Sequence, residues 1–331
     1  MIYDMEVIVL THTNRSSELH LANPKQTKRS KILLRLKNDW LLYLLLIPVL
    51  AWYLIFCYAP MGGLILAFKH FSFKLGIWGS KWVGLANFKK MMADRYLIRA
   101  LKNTFIFGVG GILLSMPCEI ALALMLNELR LRNAKKIIQT TVTFPHFISW
   151  IVLAGIMTNL LSSTGCINQI LQLMGLPTIS PMTQSSSYRW FIWLSGIWKE
   201  VGWGSIIYLA AITSVDQSMY EAAALDGASR MQQIWHVTLP AIRGTICIML
   251  ILAVGNLLTN GRFDQIFNTY SAPVYDVADT LDTYIFRESF TTGGMNFGYS
   301  TAIGVVKSLF GLFMIITANK IVTASGEQGL L

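Results

Sequence analysis

Apolar residues in this chain come in long runs separated by short polar stretches, rather than in the fine interleaving of a soluble domain. A bilayer core is crossed by about 20 mainly apolar residues in helix. On that rule six segments predict spans: Trp40–Phe68, Thr104–Leu126, Ile137–Leu161, Trp190–Thr213, Ile242–Leu258 and Tyr299–Ala318. The first exceeds one crossing, and Pro48 and Pro60 are placed to kink or end it, because proline removes a helix donor and clashes with the preceding turn. The fifth is short and begins close to Pro240. In Asn87–Leu101, Phe88, Met91, Met92 and Leu101 read as one apolar side and Lys89, Lys90, Arg95 and Arg99 as its polar complement. That pattern predicts a helix lying in the membrane interface. The reading is an all-α polytopic membrane protein with about six transmembrane helices, residues 39–331 forming the membrane domain and residues 1–38 a tail.

Composition agrees with the pattern. Hydrophobic residues make up 54% of the 331 positions and charged ones 13%, where a soluble domain carries about a quarter. The net charge of +10 does not imply nucleic acid, since basic residues beside apolar spans face anionic lipid and set orientation. Lys25, Lys28, Arg29, Lys31, Arg35 and Lys37 form one such cluster, and Arg130, Arg132, Lys135 and Lys136 another. Both are expected in the cytoplasm, with the N- and C-termini and the polar stretch 216–240. Met1–Ser30 lacks the order of a signal peptide. Cys57, Cys118, Cys166 and Cys247 contain no Cys-x-x-Cys pair and read as small apolar fillers, with no disulfide framework or metal site.

The polar stretch between the fourth and fifth spans holds the densest local information. Asp216 or Ser218 is suited to cap a helix running through Leu225. Gly227 suits a left-handed helix end, and Ser229 with Gln232 fits the capping box that opens a second helix. Pro240 ends that half or begins the next span. The product is two short helices at an angle, with Ala222, Ala223 and Ala224 allowing another protein to approach closely.

The ordered set Glu221, Ala222, Ala223, Asp226, Gly227, Ala228, Leu239 and Pro240 resembles the Glu-Ala-Ala…Gly…Leu-Pro loop of the membrane subunits of binding-protein-dependent ABC importers. Tyr58-Ala59-Pro60-Met61-Gly62-Gly63, Trp82-Val83-Gly84-Leu85 with Asn87-Phe88, Pro145-His146-Phe147-Ile148-Ser149-Trp150 and Gly326-Glu327-Gln328-Gly329-Leu330 are similar to the oligosaccharide and polysaccharide branch of the carbohydrate-importer permeases. The likeness runs from about Trp40 to Leu331. Ile234 stands where an aromatic is frequent, with Trp235 beside it, and Gly244 stands where many relatives have a second proline.

This resemblance implies a type I ABC permease fold in a bacterial inner membrane. It implies a second homologous permease, two ATPase subunits that bind ATP and Mg, an external solute-binding protein and a saccharide substrate. The 216–240 loop would couple to the ATPase, with Glu221 the polar contact, Ala222, Ala223 and Gly227 setting the close fit, and Asp226, Leu239 and Pro240 completing the motif. A docking loop for a cytoplasmic ATPase fixes the orientation, which leaves the equally basic Lys69–Lys102 segment outside.

No catalytic residue or cofactor site is expected in the chain itself. It has no Gly-x-x-x-x-Gly-Lys-Ser/Thr phosphate loop, no Gly-x-Ser-x-Gly and no His-Glu-x-x-His. The histidines show no ligand spacing, and His146 beside Pro145 reads as structural. Charges within apolar spans are costly and often functional; here they are Glu119, Lys307 and the pair Lys199 and Glu200, facing a pathway or pairing between helices. Sugar contact calls for aromatic faces and polar side chains, which Trp193, Trp198, Trp203, Tyr208, Asn256 and Asn260 supply alongside Lys307, although tryptophan and tyrosine also mark membrane interfaces. An acidic polymer such as alginate would suit Lys199 and Lys307. The segment Ser162–Arg189 is nearly uncharged, and Asn260–Gly298 carries Asp264, Asp276, Asp279, Asp282 and Glu288 without the order of a calcium loop. Two alternatives remain. An ion-coupled secondary transporter would use Glu119 and Lys307 for its ion, and a membrane-bound glycan enzyme would need an acid/base pair near the surface.

Overall fold

The computed structural model describes residues 39–258, 262–291, 295–327 and 329–330. The expected N-terminal tail with its basic cluster, Asn260 and Gln328 lie outside the described residues. The chain divides into two compact units, one reaching Gly63 and one running from Leu64 to Leu331.

In the first unit, α1 (Trp40–Trp52) contains Pro48 and passes directly into a π-helical turn at Tyr53–Tyr58. The wider turn lies between Pro48 and Pro60, prolines being one of the usual causes of helix irregularity. A 3-10 stretch, Ala59–Phe68, then carries Pro60, Gly62 and Gly63 into the second unit. The residues of α1 are apolar and almost all exposed, as suits a lipid-facing segment.

The second unit opens with a two-stranded antiparallel ladder, β1 (Lys69–His70) against β2 (Lys81–Trp82). The interfacial helix expected over Asn87–Leu101 is instead two helices. α2 (Ala86–Ala93) stops at Asp94, whose carboxylate accepts from Tyr96 N at 3.0 Å and Leu97 N at 3.2 Å and so starts α3 (Arg95–Glu128). An N-cap aspartate satisfies donors that no earlier turn can reach.

The third expected span, Ile137–Leu161, is also broken. α4 (Arg132–Thr143) is amphipathic, a 3-10 turn occupies Phe144–Phe147, and α5 (Trp150–Leu161) begins afresh with Ser149 accepting from Val152 N. Pro145, with no N–H, sits inside that turn. α6 (Cys166–Leu173) follows, and α7 (Ser185–Thr213) runs for 29 residues. Beyond the polar loop come α9 (Arg243–Gly255), α10 (Phe263–Thr269), α11 (Leu281–Phe290) and α12 (Phe297–Ala324), with α8 (Gln217–Leu225) inside the loop.

Among the described residues, four helical segments are long and apolar enough to cross a membrane: Trp40–Phe68, Arg95–Glu128, Trp150–Leu173 and Phe297–Ala324. A fifth is added if Arg230–Ala241 and Arg243–Gly255, bent by 61° to each other, count as one. The expected fifth span is therefore only 13 residues of straight helix. The serines, glycines and the Lys199–Glu200 pair of α7 dilute its hydropathy, although its length suffices.

α3 and α7 form the spine of this unit. Arg189 Nη2 donates to Asn103 Oδ1 at 3.0 Å and Trp193 Nε1 to Phe107 O at 3.4 Å, while Gly204 faces Glu119. Partners stay 85 or 86 positions apart along the pair, so the two helices run parallel in fixed register. Buried clusters pack on both sides of their contact. Phe107, Tyr188, Ile192, Ile266 and Val274 lie near one end, and Ala123, Leu126, Tyr208, Leu209, Ile212 and Ile242 near the other. Parallel helices end together. The Arg130–Lys136 stretch and the 216–240 loop consequently share one end of the unit.

Candidate functional site

The loop is built as its sequence dictates. Asp216 caps α8, its carboxylate accepting from Ser218 N at 2.9 Å. Gly227 closes the helix at φ +81°, with Gly227 N bonded to Ala224 O and Ala228 N to Ala223 O. Only glycine takes that conformation without strain. Ser229 and Gln232 cap each other reciprocally and start the second half, Arg230–Gln233. A π-helical turn at Ile234–Thr238 and the short turn Leu239–Ala241, holding Pro240, lead to the 61° bend at Ile242.

Two contacts hold the halves together: Tyr220 and Thr238 share a hydroxyl hydrogen bond of 3.0 Å, and Gln233 Nε2 donates to Ala228 O at 3.2 Å. Between them lies a cleft of about 230 Å³ lined by Ala223, Asp226, Gly227, Gln232 and His236 among others. Glu221 and Ala222 are exposed, and so are the large apolar side chains of Leu225, Met231 and Trp235. Leu239 packs into the cluster around Tyr208 and Ile212. Arg230 reaches Glu128 at the end of α3 (3.9 Å), and Arg243 Nε pairs with Glu327 Oε1 beyond α12 (3.1 Å). The loop thus presents an apolar and polar face outward while tied to two spans.

A cavity of about 470 Å³ lies among α3, α7, α9 and α10. Its wall includes Tyr208 and Asn256 of the residues expected to touch sugar, together with Trp150 and the charged Glu119, Glu200, Arg262 and Asp282. The Tyr208 hydroxyl is buried and meets no hydrogen-bond partner among the described residues. Lys307 stands behind the wall and pairs with Asp282. Glu200 is compensated in two ways, His146 Nδ1 lying 2.6 Å from its Oε2 and Lys199 Nζ 3.1 Å from its Oε1, while Lys199 also donates to His146 O.

The other expected residues are elsewhere. Trp193 packs behind α3, its ring filling the space left by Gly110. Trp203 stacks flat on His146, with centroids 4.4 Å apart and planes at 3°. Trp198 is half exposed on α7. The structure therefore gathers Tyr208, Asn256 and, through Asp282, Lys307, and leaves the three tryptophans outside the cavity wall.

Two wall residues escape sequence reading. Arg262 sits in a region expected to be an acidic loop, and Gln265 follows it on α10; nothing local marks either as inward-facing. No grouping of His, Cys, Asp and Glu suited to a metal occurs among the described residues.

Residues 111–324 match the family described as binding-protein-dependent transport system inner membrane component. The chain belongs to this family. Among similar proteins, the polygalacturonan/rhamnogalacturonan transport system permease protein YteP of Bacillus subtilis (strain 168) is 39% identical over 307 residues, covering 92% of this chain and 95% of that one. Protein LplB of the same organism is 42% identical over 296 residues, covering 89% and 92%. Among solved structures, a bacterial ABC transporter involved in the import of the acidic polysaccharide alginate superposes with a TM-score of 0.81 at 38% identity, over 88% of this chain and 98% of that one. The type I permease fold and inner-membrane location follow. As a family member, this chain is a non-catalytic component that supplies the path. The secondary-transporter and glycan-enzyme alternatives are set aside by the same likeness.

Proposed function

We propose that the chain is one half of the pathway of an importer for acidic oligo- or polysaccharides, paired with a second homologous permease. A solute-binding protein outside delivers the saccharide, and two ATPase subunits holding ATP and Mg drive the cycle from the cytoplasm. The N- and C-termini and the 216–240 loop face the cytoplasm in this scheme. The observation that carries the reading is the cavity between α3 and α7, whose wall offers an aromatic face, an unsatisfied phenol, an amide and an arginine. Pocket chemistry of this kind suits a saccharide: rings stack on Trp150 while Asn256 exchanges hydrogen bonds with hydroxyls.

Supporting the choice of an acidic saccharide, the permease YteP is named for polygalacturonan and rhamnogalacturonan, and the superposed transporter for alginate. A further solved complex with 37% identity and a TM-score of 0.81 contains a periplasmic protein bound to an alginate pentasaccharide. In this reading closure of the ATPase pair pushes on Glu221–Gly227. The push travels through Arg230–Glu128 to α3 and through the Ile242 bend to α9, so the helices around the cavity shift together.

The test is reconstitution of the permease pair, ATPase and binding protein in proteoliposomes. Uptake of an oligouronate should require ATP and every subunit. Uptake driven by an ion gradient without the ATPase would overturn the proposal.

A further inference from the structure

The wall of the cavity contains charges of unequal standing. Glu200 and Asp282 are neutralised by neighbouring cations. Arg262 makes no ion pair among the described residues, and only one of its five N–H donors is engaged, by Gln265 Oε1 at 3.3 Å. The Glu200 charge acts on it only at longer range, and an arginine in this position costs free energy unless an anion compensates it at contact.

Its surroundings are shaped to hold it. The guanidinium lies between Gly111 of α3 and Gly196 of α7, where a Cβ would come within 2.5 Å of Nη2 and 2.9 Å of Nη1 respectively. Gln265, buried, is itself anchored by donating to Ile192 O at 2.7 Å and Ser195 Oγ at 3.0 Å. Two glycines from the two spine helices therefore make room for a side chain that a third element aims and a buried amide steadies.

The register of α3 and α7 places Arg262 relative to the rest of the site. Gly111 and Gly196 mark its level, and Glu119 with Gly204 marks a second level eight residues further along both helices, about 12 Å toward the loop. The arginine thus stands midway along the cavity wall, with Thr104 and Phe107 on the side away from the 216–240 loop and Glu119 and Tyr208 on the side toward it. A uronate ring carries one carboxylate and several hydroxyls. A planar guanidinium binds a carboxylate in bidentate fashion, whereas Glu119 and Tyr208 suit hydroxyls.

We propose that Arg262 is the specificity-determining residue of the pathway: it clasps a substrate carboxylate within the cavity, held in place by Gln265 and by the absence of side chains at Gly111 and Gly196. This rests on the reading of the chain as an acidic-saccharide importer. Gln265 is a positioning residue and does not itself meet the carboxylate.

The experiment compares an oligouronate with the same oligosaccharide whose carboxyls are reduced to alcohols. Equilibrium binding is measured on the complete transporter in nanodiscs across a salt series, and uptake in proteoliposomes. Wild type should prefer the oligouronate, with a salt-sensitive affinity. Arg262→Gln should lose at least tenfold in oligouronate affinity, keep its affinity for the reduced sugar and lose the salt dependence. Arg262→Lys should retain part of the preference, and Gln265→Leu should weaken it without abolishing it. An Arg262→Gln transporter that binds the oligouronate as wild type does overturns the inference alone, as does an equal loss for both sugars. If Arg262→Gln does not assemble, the same comparison on Arg262→Lys and Gln265→Leu decides, and unchanged preference in both overturns it. Wild type without any preference for the charged sugar fails the acidic-substrate reading, and the inference with it.

Discussion

Glu119 on α3 rests its carboxyl group where Gly204 of α7 has no side chain: a Cβ at position 204 would lie 2.4 Å from Glu119 Cδ. The cavity owes its deeper carboxylate to that gap. Gly204→Ala should push Glu119 out of place at a cost of about 1–3 kcal/mol, the usual range for overpacking. Transport should fall several-fold while the protein still assembles with its partners. The same substitution in a Glu119→Ala background should have a smaller effect, because a shorter side chain no longer occupies the gap. Equal losses in both backgrounds, read as uptake rate per assembled complex, would refute the relationship.

The loop makes a second prediction. Gly227 has φ +81°, which proline, fixed near −65°, cannot adopt. Gly227→Pro should therefore disrupt the end of α8 and abolish coupling. Ala223→Asp should do so by placing a charge in the cleft beside Asp226. Both proteins should insert and pair with the second permease, but ATPase recruitment in pull-down and ATP-driven uptake should be lost. Gly227→Ala, which only strains the backbone by about 1–2 kcal/mol, should retain partial transport.

Lys307 and Asp282 neutralise each other across α12 and α11 beside the cavity. Lys307→Met leaves a lone carboxylate in the wall and should cost about 1–3 kcal/mol, seen as a lower yield of assembled complex. Asp282→Asn in the same chain should recover most of that loss. Failure of the double variant to recover would show that Lys307 acts through something other than the pair.

Asp94 fastens the start of α3 to the far side of the unit: its Oδ2 accepts from Tyr284 Oη at 2.6 Å and Tyr299 Oη at 2.7 Å. Burial alone would raise its pKa, but these two hydrogen bonds and those from Leu97 N and Tyr96 N together hold it below the ordinary value. A carboxylate with a depressed folded-state pKa contributes stability that is present above its unfolded pKa, about 3.9, and is lost as pH falls through the folded value. Thermal unfolding of wild type and Asp94→Asn in detergent should differ at pH 7, with wild type the more stable, and the gap should narrow as pH drops below about 4. A gap unchanged down to pH 3 would contradict the ionised reading of Asp94.

The features legible in the sequence are those whose partners lie close by in the chain. The caps at Asp216 and Ser229 and the left-handed Gly227 are contacts of two to four residues, so residue type and spacing suffice to define them. The breaks at Asp94 and Pro145 are also local, yet apolar periodicity running through both positions masks them when spans are counted by length. The cavity is different in kind. Arg262 meets Gly111 and Gly196, and Lys307 meets Asp282, across separations that only tertiary packing closes. A half-buried arginine in a segment rich in aspartate gives no local sign of facing inward. Trp193, Trp198 and Trp203 do not line this cavity, since aromatic character on α7 is spent on packing behind α3, stacking on His146 and facing outward.

The fixed register of α3 and α7 gives the molecule a lever. Its 34 residues of α3 span about 50 Å, with the Arg230 contact to Glu128 at one end and the Asp94 knot near the other. Because α7 lies alongside without slipping, a tilt imposed at the loop end cannot be absorbed by one helix sliding on the other. In the proposed cycle it would open or narrow the gap in which Glu119 and Arg262 stand. Under the proposed coupling to an ATPase, the stroke of the motor and the aperture offered to the cargo would be two readings of a single angle.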